Sequence, residues 1–175
     1  MKRIKELTQV LNEQVIDLLT GVTIYRNYFE EHQYDPNNLI HAGVQRMCIN
    51  HIVISLSKLW EAFAQVYGKE FQGFPEALRK EKNRLQKYLD DKKVYQFRSK
   101  YVAHLIDKET GSPICSKEGA SRLSAIVGTN HGEMLNFLSE ISPLDDETGE
   151  AGIVGVVQRL NQHCYGILSQ VEATP

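Results

Sequence analysis

The stretch that decides the fold class runs from residue 4 to residue 29, with the sequence IKELTQVLNEQVIDLLTGVTIYRNYF. Apolar side chains recur in it every three or four positions, as at Leu7, Leu11 and Val15. On a helix with about 3.6 residues per turn, this spacing gathers them on one face, whereas a half-buried strand would alternate. The stretch therefore predicts one long amphipathic helix that buries a single side.

The same period continues along the rest of the chain, and the sequence suggests helix breaks at residues 90–91, Asp-Asp, and near Gly128. Residues 35–38, Asp-Pro-Asn-Asn, are expected to end the first helix and cap the second, because Pro suits a first helical turn and Asn accepts its free amides. The second helix should reach about Tyr67 and lie centrally, since residues 47–60 are apolar on most faces. We expect an all-α, up-and-down bundle of about five helices that forms one domain over residues 1–175.

Composition narrows the class of protein. Of the 175 residues, 42% are hydrophobic and 24% are charged, which is typical of a globular chain. The formal net charge of −2 excludes a protein that coats nucleic acid by bulk positive charge. Cys48, Cys115 and Cys164 lie far apart, which excludes a disulfide framework and a zinc ribbon. Because signal-peptide and membrane-span patterns are absent from the sequence, we expect a reduced, cytoplasmic protein with no membrane partner.

The net charge hides a strong asymmetry. Residues 79–106 carry nine basic and three acidic side chains, a net charge of +6, whereas residues 107–175 have a net charge of −6. Aromatic residues interleave with the basic ones, and this mixture suits phosphate contact and base stacking. The segment therefore predicts a local RNA interface, although a solvated helix face has a similar composition. The expected RNA-binding residues are Lys92, Lys93, Lys100 and Tyr101.

Residues 98–104, Arg-Ser-Lys-Tyr-Val-Ala-His, lie inside this basic segment. On a helix, Arg98 and His104 would be about 120° apart around the axis and ~9 Å apart along it, flanking an apolar stripe with Val94 and Tyr101. In a single copy, Arg98 and His104 would be too far apart to contact one phosphate together. Two copies packed stripe against stripe would gather two Arg and two His in one cleft. There, Arg could bind an RNA phosphate and His could move the 2′-hydroxyl proton.

The heptapeptide 98–104 resembles the Arg-polar-Lys-x-x-Ala-His signature of the HEPN superfamily, in particular its abortive-infection U-like branch from prokaryotes. A weaker likeness covers residues 52–60, which look like the second-helix core of that branch. The resemblance implies an HEPN-like bundle, a homodimer and metal-independent endoribonuclease activity. It also implies that Arg98 contacts the phosphate and the transition state, and that His104 is the acid/base. A toxin or phage-defence role and an antitoxin partner follow from the family alone.

Two neighbouring residues bear on whether such a site would be active. Ser99 stands where HEPN nucleases often have Asn, Asp or His, although its hydroxyl can still form a hydrogen bond. Asp107 follows His104 by three residues and could orient the imidazole, or could simply begin a loop. The alternative hypothesis, favoured by Ser99, is a non-catalytic HEPN-like module that binds RNA or serves dimerisation and interaction.

A second pair of residues competes with this one. Arg26 and His32 have the same six-residue separation as Arg98 and His104. The alternative for Arg26 and His32 is a structural role, because cationic side chains stabilise the free carbonyls at a helix C-terminus. The choice between these roles is open at the level of the sequence.

A metal site is the remaining alternative for a helical chain with six histidines. His51, His131 and His163 could converge from different helices, but no ligand spacing in the sequence supports this. We expect no metal and no cofactor, and we expect His51 to be a core histidine. Met47 and Trp60 are likewise expected in the core, as are Cys48 and Cys164.

Overall fold

The computed structural model describes residues 1–35, 37–99, 116–144 and 151–172. Within these ranges every regular element is helical and no strand occurs, which confirms the predicted all-α class. A π-helical turn, Ala62–Val66, directly follows the second helix. In chain order the helices are α1 (Lys2–Glu31), α2 (Leu39–Glu61), α3 (Gly68–Gln72), α4 (Glu76–Asp91), α5 (Val94–Phe97), α6 (Ser116–Val127), α7 (His131–Ile141) and α8 (Gly152–Glu172).

Helix α1 follows the periodicity of its sequence over 30 residues. Leu7, Leu11 and Leu18 on its inner face are each 0% exposed. Thr8 shares that face, and its hydroxyl donates a hydrogen bond of 2.7 Å to the Ile4 carbonyl, so this buried polar group is satisfied. The inner face packs against both α2 and α8. The predicted long amphipathic helix is therefore confirmed.

Helix α2 lies in the middle of the fold, where it packs against α1, α4 and α5. It begins as the sequence predicted, because the Asn38 side chain accepts a hydrogen bond of 2.9 Å from the Ile40 N–H. Gly21 allows α1 to approach closely, since a Cβ there would lie 2.6 Å from Cγ1 of Ile52. The tight contact between the two longest described helices thus depends on a residue without a side chain.

A break at Lys92 and Lys93 separates α4 from α5, directly after the acidic pair at residues 90–91, where the sequence suggested a break. Lys93 has a φ of 56°, in the left-handed region that few non-glycine residues adopt. The Lys92 N–H donates to the Tyr88 carbonyl at 3.0 Å and closes α4. Helix α5 then packs against α2, so the break turns the basic segment back onto the central helix.

A second break, at Gly128, separates α6 from α7, and the sequence suggested this one too. Gly128 has a φ of +104°, and a Cβ there would lie 2.3 Å from the Glu133 Cβ. The Asn130 side chain accepts the Glu133 N–H at 3.0 Å and caps α7. Helix α8 then packs along α1 and contacts α4 and α7, which completes the core.

Two predictions about the core were wrong. Met47 is 57% exposed. The His51 side chain is 42% exposed, and its Nε2 lies 3.8 Å from Oδ1 of Asp17. Met47 lies on a part of α2 that the other described helices leave open, whereas His51 lies at the margin of the contact with α1, beside Asp17 and Gly21. The apolar character of α2 on most faces indicated neither position. Cys48 and Cys164 are buried as predicted, with 2% and 0% exposed. Among the described helices, none is both long and apolar enough to span a membrane.

Candidate nucleic-acid interface

The outer face of α4 is basic. Lys80, Arg84 and Lys87 recur at helical spacing and are exposed, and Arg79 is exposed beside them. Lys80 pairs with Glu76 at 2.7 Å and Lys87 pairs with Asp91 at 2.6 Å, both across one turn of the same helix. Exposed pairs of this kind are weak, so they leave the cations available to an RNA phosphate. Within the described ranges, Arg79 and Arg84 form no ion pair.

Lys82 belongs to the same run of basic residues but points inward. It is 8% exposed, and its ammonium lies 5.8 Å and 5.6 Å from the ring centroids of Phe63 and Phe71. The ammonium donates a hydrogen bond of 2.6 Å to Oε1 of Gln86. Burial lowers the pKa of Lys82, because the charged form loses hydration. Lys82 therefore serves packing and contributes little to the outer charge.

Lys92 is engaged within the fold as well. Its ammonium donates a hydrogen bond of 2.8 Å to the carbonyl of Ile126 at the end of α6. It also lies 5.6 Å from the ring of Tyr88 and 5.7 Å from the ring of Phe137. The side chain thus links the α4–α5 break to α6 and α7. An RNA contact by Lys92 stays a prediction, and it would require this link to open.

Lys93 differs from its neighbour, because its side chain is exposed. Tyr95, two residues after Lys93, stacks on Trp60 with 4.4 Å between ring centroids and 29° between ring planes. The indole N–H of Trp60 donates to the carboxylate of Asp90. A partly exposed aromatic pair therefore lies beside an exposed cation, as base stacking with phosphate contact requires.

Arg98 and Ser99 directly follow α5 and are both half-buried. Within the described part of the chain, the Arg98 guanidinium forms no ion pair and no hydrogen bond. The Ser99 hydroxyl donates a hydrogen bond of 3.2 Å to the Gln96 carbonyl, so its proton is committed to its own turn. Four predicted site residues lie outside the described residues: Lys100, Tyr101, His104 and Asp107. The structure therefore describes the Arg half of the predicted pair.

The apolar stripe expected to form a dimer seam needs a correction at Val94. Val94 is 0% exposed within a single chain, because α5 packs against α2. A residue that a single chain already buries cannot also pack against a second copy. The described part of the stripe is therefore core. The prediction of a free stripe was wrong at Val94 because it considered one helix without its neighbours.

The aromatic residues of the basic segment divide in the same way. Phe97 is 6% exposed and belongs to the core. The Tyr88 hydroxyl donates a hydrogen bond to the carboxylate of Glu140. The pKa of Tyr88 is raised well above its ordinary value, mainly by burial and also by this hydrogen bond. Tyr88 and Tyr95 are both half-buried, and Tyr95 is the one that stacks on Trp60. Trp60, its partner, was expected in the core and was missed as a candidate. A Trp beside an acidic residue at the helix end was the available signal.

The competing pair Arg26 and His32 is engaged in structural contacts. The Arg26 guanidinium donates a hydrogen bond of 2.7 Å to the Ser142 carbonyl at the end of α7, and burial lowers the pKa of Arg26. His32 ends α1, where its ring stacks on Tyr28 at 4.6 Å. Its Nδ1 lies 3.0 Å from the Tyr28 carbonyl. These contacts favour the structural role that a helix C-terminus offers.

The histidines considered for a metal site lie in separate surroundings. His51 is next to Asp17, His131 stacks on Tyr34 at 5.2 Å, and His163 lies against Phe74 at 4.6 Å. In the described part of the chain, no group of three His, Cys, Asp or Glu residues is arranged to hold a metal ion.

Comparisons with known proteins bear on the fold alone. No protein-family model matches the chain. No curated protein matches it either. A solved structure that is similar is the integron cassette protein Vpc_cass2 from the mobile metagenome of V. paracholerae, with a TM-score of 0.77 at 18% sequence identity. The match covers 94% of this chain and 97% of the other. At this identity the likeness shows a shared helical architecture.

Proposed function

We propose that this protein is a metal-independent endoribonuclease of the HEPN type, acting as a homodimer. The observation that carries the proposal is the position of Arg98. It follows α5 at the end of the basic α4–α5 unit, half-buried, and its guanidinium has no acidic partner among the described residues. A half-buried guanidinium that no described carboxylate pairs with is suited to binding a phosphate. The resemblance of residues 98–104 to the HEPN signature supports the same assignment.

The proposed reaction is attack of the 2′-hydroxyl on the adjacent phosphate. His104 of one copy takes the 2′-proton while the 2′-oxygen forms a bond to phosphorus. The bond between phosphorus and the 5′-oxygen breaks, and that oxygen takes a proton from His104 of the second copy. The products are a 2′,3′-cyclic phosphate and a 5′-hydroxyl. Arg98 neutralises the charge that develops on the phosphate oxygens. One His104 gains a proton while the other loses one, so the two imidazoles complete the proton transfers and no metal-bound base is required.

The RNA strand is proposed to follow the outer face of α4 towards Arg98. Arg79, Arg84 and Lys93 are the exposed cations along this path that have no ion pair within the described residues. Tyr95 and Trp60 provide the stacking surface beside them. A cytoplasmic location, a toxin or phage-defence role and an antitoxin partner belong to the same proposal through the HEPN resemblance.

The direct test is cleavage of a fluorescent RNA by purified protein in EDTA. We expect Arg98→Ala, which removes the transition-state contact, and His104→Ala, which removes the general acid/base, each to slow cleavage by at least ~100-fold. The matched control is Arg122→Ala, because Arg122 is an exposed arginine that pairs with Glu118 at 3.6 Å on α6. Unchanged cleavage in both site variants would refute the assignment of Arg98 and His104.

A mixing experiment tests the composite site. Wild-type protein is mixed with His104→Ala protein and the dimers are allowed to exchange. If cleavage needs His104 of both copies, a 1:1 mixture keeps about a quarter of the wild-type activity, because only wild-type homodimers are active. If each chain acts alone, the mixture keeps about half of the activity and the composite site is refuted.

A second candidate, a non-catalytic RNA-binding or interaction module, is favoured by the burial of Val94. Val94 at 0% exposure is unavailable for the stripe-to-stripe dimer that a composite site was expected to use. This candidate predicts RNA binding that weakens steeply with salt, with no turnover at any pH. The EDTA cleavage assay above distinguishes the two candidates.

A further inference from the structure

A polar cavity of ≈ 320 Å³ lies between α1 and α8, outside the Arg98 region. Its volume falls in the range of roughly 300–1,000 Å³ that is usual for ligand pockets. Val15 and Gly155 form part of its wall, but most of its lining side chains are polar. Four of them are carboxamides, namely Asn12, Gln158, Asn161 and Gln162. Such a density of neutral donors and acceptors indicates a ligand that forms paired hydrogen bonds.

The cavity carries little net charge. Arg159 lines it, but its guanidinium Nε is 3.0 Å from Oε2 of Glu81 on α4, so the cation is neutralised by a carboxylate. No acidic residue is among the cavity's lining side chains. This electrostatic balance disfavours a phosphate or carboxylate as the group that enters the cavity. The complementary ligand is therefore a neutral polar one.

Asn161 supplies an independent indication of a ligand. It lines the cavity and is 7% exposed, and its Oδ1 is shielded from solvent with no hydrogen-bond partner within the described part of the chain. A rotation of the side-chain amide would turn this oxygen towards the cavity, where a ligand could complete its hydrogen bond. Nearby positions on α8 are filled by Leu160 and Cys164, both 0% exposed. An amide among such residues costs stability unless something completes its hydrogen bonds.

Tyr165 stands one helical turn after Asn161 and lines the same cavity. It is 51% exposed, so a face of its ring is accessible to a ligand. A half-exposed ring next to carboxamides provides a stacking surface beside a hydrogen-bonding edge. Planar heterocycles need both features, whereas a simple amide or alcohol needs the second alone.

We propose that this cavity binds a nucleobase, with adenine the best fit. A carboxamide can donate to and accept from the edge of adenine at the same time, which is the commonest specific contact of Asn and Gln with that base. Asn161, once its amide has rotated, then gains the hydrogen bond that its Oδ1 lacks within the described residues. The ring of Tyr165 stacks on the face of the base. This assignment concerns a neutral base and is separate from the phosphate contacts of α4.

The ion pair between Arg159 and Glu81 connects the cavity to α4. Glu81 adjoins Lys80 in the sequence and precedes Arg84 by less than one turn, so the basic outer face begins close to the cavity. A base of an RNA strand bound along α4 could therefore enter the cavity, and this extension rests on the proposed function. A free nucleoside or nucleotide is the other source of the same base.

The first experiment measures binding of adenosine, guanosine, cytidine and uridine by calorimetry and by chemical-shift changes. We expect adenosine to bind most tightly and to shift the signals of residues on α1 and α8. Tyr165→Ala should weaken binding by ~5- to ~150-fold, the range of one base–aromatic stack, whereas Tyr165→Phe should retain it. Tyr165 is exposed, so neither variant endangers folding. Failure of every nucleoside to bind, or equal binding of ribose alone, overturns the proposal.

The second experiment uses Asn161→Leu, which removes the amide at similar size. We expect this variant to lose adenosine binding at least ~10-fold and yet to unfold at a higher temperature. The matched control is Ser57→Ala, since the Ser57 hydroxyl is also buried with no hydrogen-bond partner among the described residues but lies on α2. That control should leave adenosine binding unchanged. If Asn161→Leu binds adenosine normally, the amide has no role in the site and the proposal is wrong.

A third arm separates this proposal from the proposed function. RNA binding that is insensitive to Asn161→Leu and Tyr165→Ala, with no binding of free adenosine, refutes the nucleobase site and leaves the nuclease proposal intact. Adenosine binding without RNA binding or cleavage supports the nucleobase site and refutes the nuclease proposal. It indicates a free nucleoside or nucleotide as the ligand. A poly(A) oligonucleotide that binds more tightly than poly(U), with the preference lost in Asn161→Leu, supports a base in a bound strand.

Discussion

The ammonium of Lys92 donates a hydrogen bond of 2.8 Å to the carbonyl of Ile126, 34 residues further along the chain. The next residue, Lys93, instead has a left-handed backbone with a φ of 56° and an exposed side chain. Two adjacent lysines with the same chemistry thus have opposite orientations. One helps to hold α6 and α7 against α4, and the other adds to the charged outer surface.

The two lysines are predicted to have separable effects. Lys92→Gln should lower the free energy of unfolding by about 1 kcal/mol, since it removes a charge-assisted hydrogen bond. Lys93→Gln should change stability by less than about 0.5 kcal/mol but should reduce the salt dependence of RNA binding by ~0.7 in log–log slope, the contribution of one phosphate contact. Urea denaturation and fluorescence anisotropy at several salt concentrations measure these effects. Lys117→Gln, at an exposed lysine of α6, is the control and should change neither quantity.

Two helix glycines should respond oppositely to alanine. A Cβ at Gly21 would lie 2.6 Å from Cγ1 of Ile52, whereas a Cβ at Gly43 would have nothing within 4 Å. Gly43→Ala should therefore stabilise the protein by about 0.5–1 kcal/mol, the gain from helix propensity. Gly21→Ala should destabilise it by about 1–3 kcal/mol, because α1 and α2 must move apart. Thermal denaturation of both variants checks the prediction, which fails if Gly21→Ala stabilises as much as Gly43→Ala.

The N-terminus of α7 offers a test of helix capping. Asn130 accepts the Glu133 N–H at 3.0 Å, and the Glu133 carboxylate in turn accepts the Thr129 N–H at 2.6 Å. The hydrogen bonds that the Glu133 carboxylate accepts from the N–H and the hydroxyl of Thr129 lower the pKa of Glu133 below its ordinary value. Asn130→Ala should cost about 1 kcal/mol of stability, whereas Asn130→Asp should be tolerated because Asp caps equally well. Urea denaturation at neutral pH distinguishes the two variants, and equal losses would contradict the capping role.

The buried thiols are predicted to be unreactive and sensitive to alkaline pH. Burial raises the pKa of Cys164 from 9.0 to about 11, and it also raises the pKa of Cys48. The folded state therefore favours the neutral thiol, so this contribution to stability is complete below about pH 9 and is lost as the pH rises through about 11. In a Cys115→Ser background, iodoacetamide at pH 8 should modify neither thiol in the folded protein and both thiols in urea. Rapid labelling of the folded protein would show that the core opens readily.

The predicted loss of stability at alkaline pH is measured separately from the thiol reactivity. Urea denaturation between pH 8 and pH 11 should show the free energy of unfolding falling above pH 9, with a smaller fall in Cys164→Ala. Tyr25 contributes in the same direction, since burial raises its pKa far above the ordinary value. A free energy of unfolding that stays constant over this range would contradict the assigned burial of these groups.

Much of the fold was predictable because the relevant forces act within one or two helical turns. The spacing of Leu7, Leu11 and Leu18 predicted α1 and its buried face. Asn38 predicted the start of α2, because a cap needs only the next two or three amides. The break near Gly128 followed from the conformational freedom of glycine.

The candidate site was less predictable, because its accessibility depends on helices distant in the sequence. Burial of Val94 against α2 and the turn of Lys82 towards Phe63 and Phe71 depend on packing that no single-helix projection shows. The exposure of Met47 has the same origin. The +6 charge of residues 79–106 was correct as a count, but it overstated the charge of the outer surface, since Lys82 and Lys92 face inward.

By itself, the sequence determined the all-α class and several helix starts and breaks, and it contains the spacing of Arg98 and His104, because periodicity, capping and motif spacing are local properties. Only the tertiary structure decided which cations face solvent and that Asn12 and Asn161, near opposite ends of the chain, line one cavity. The physical reason is that burial is a property of pairs of helices. Each side chain gains or loses water according to the element packed against it, which can lie more than a hundred residues away in the sequence.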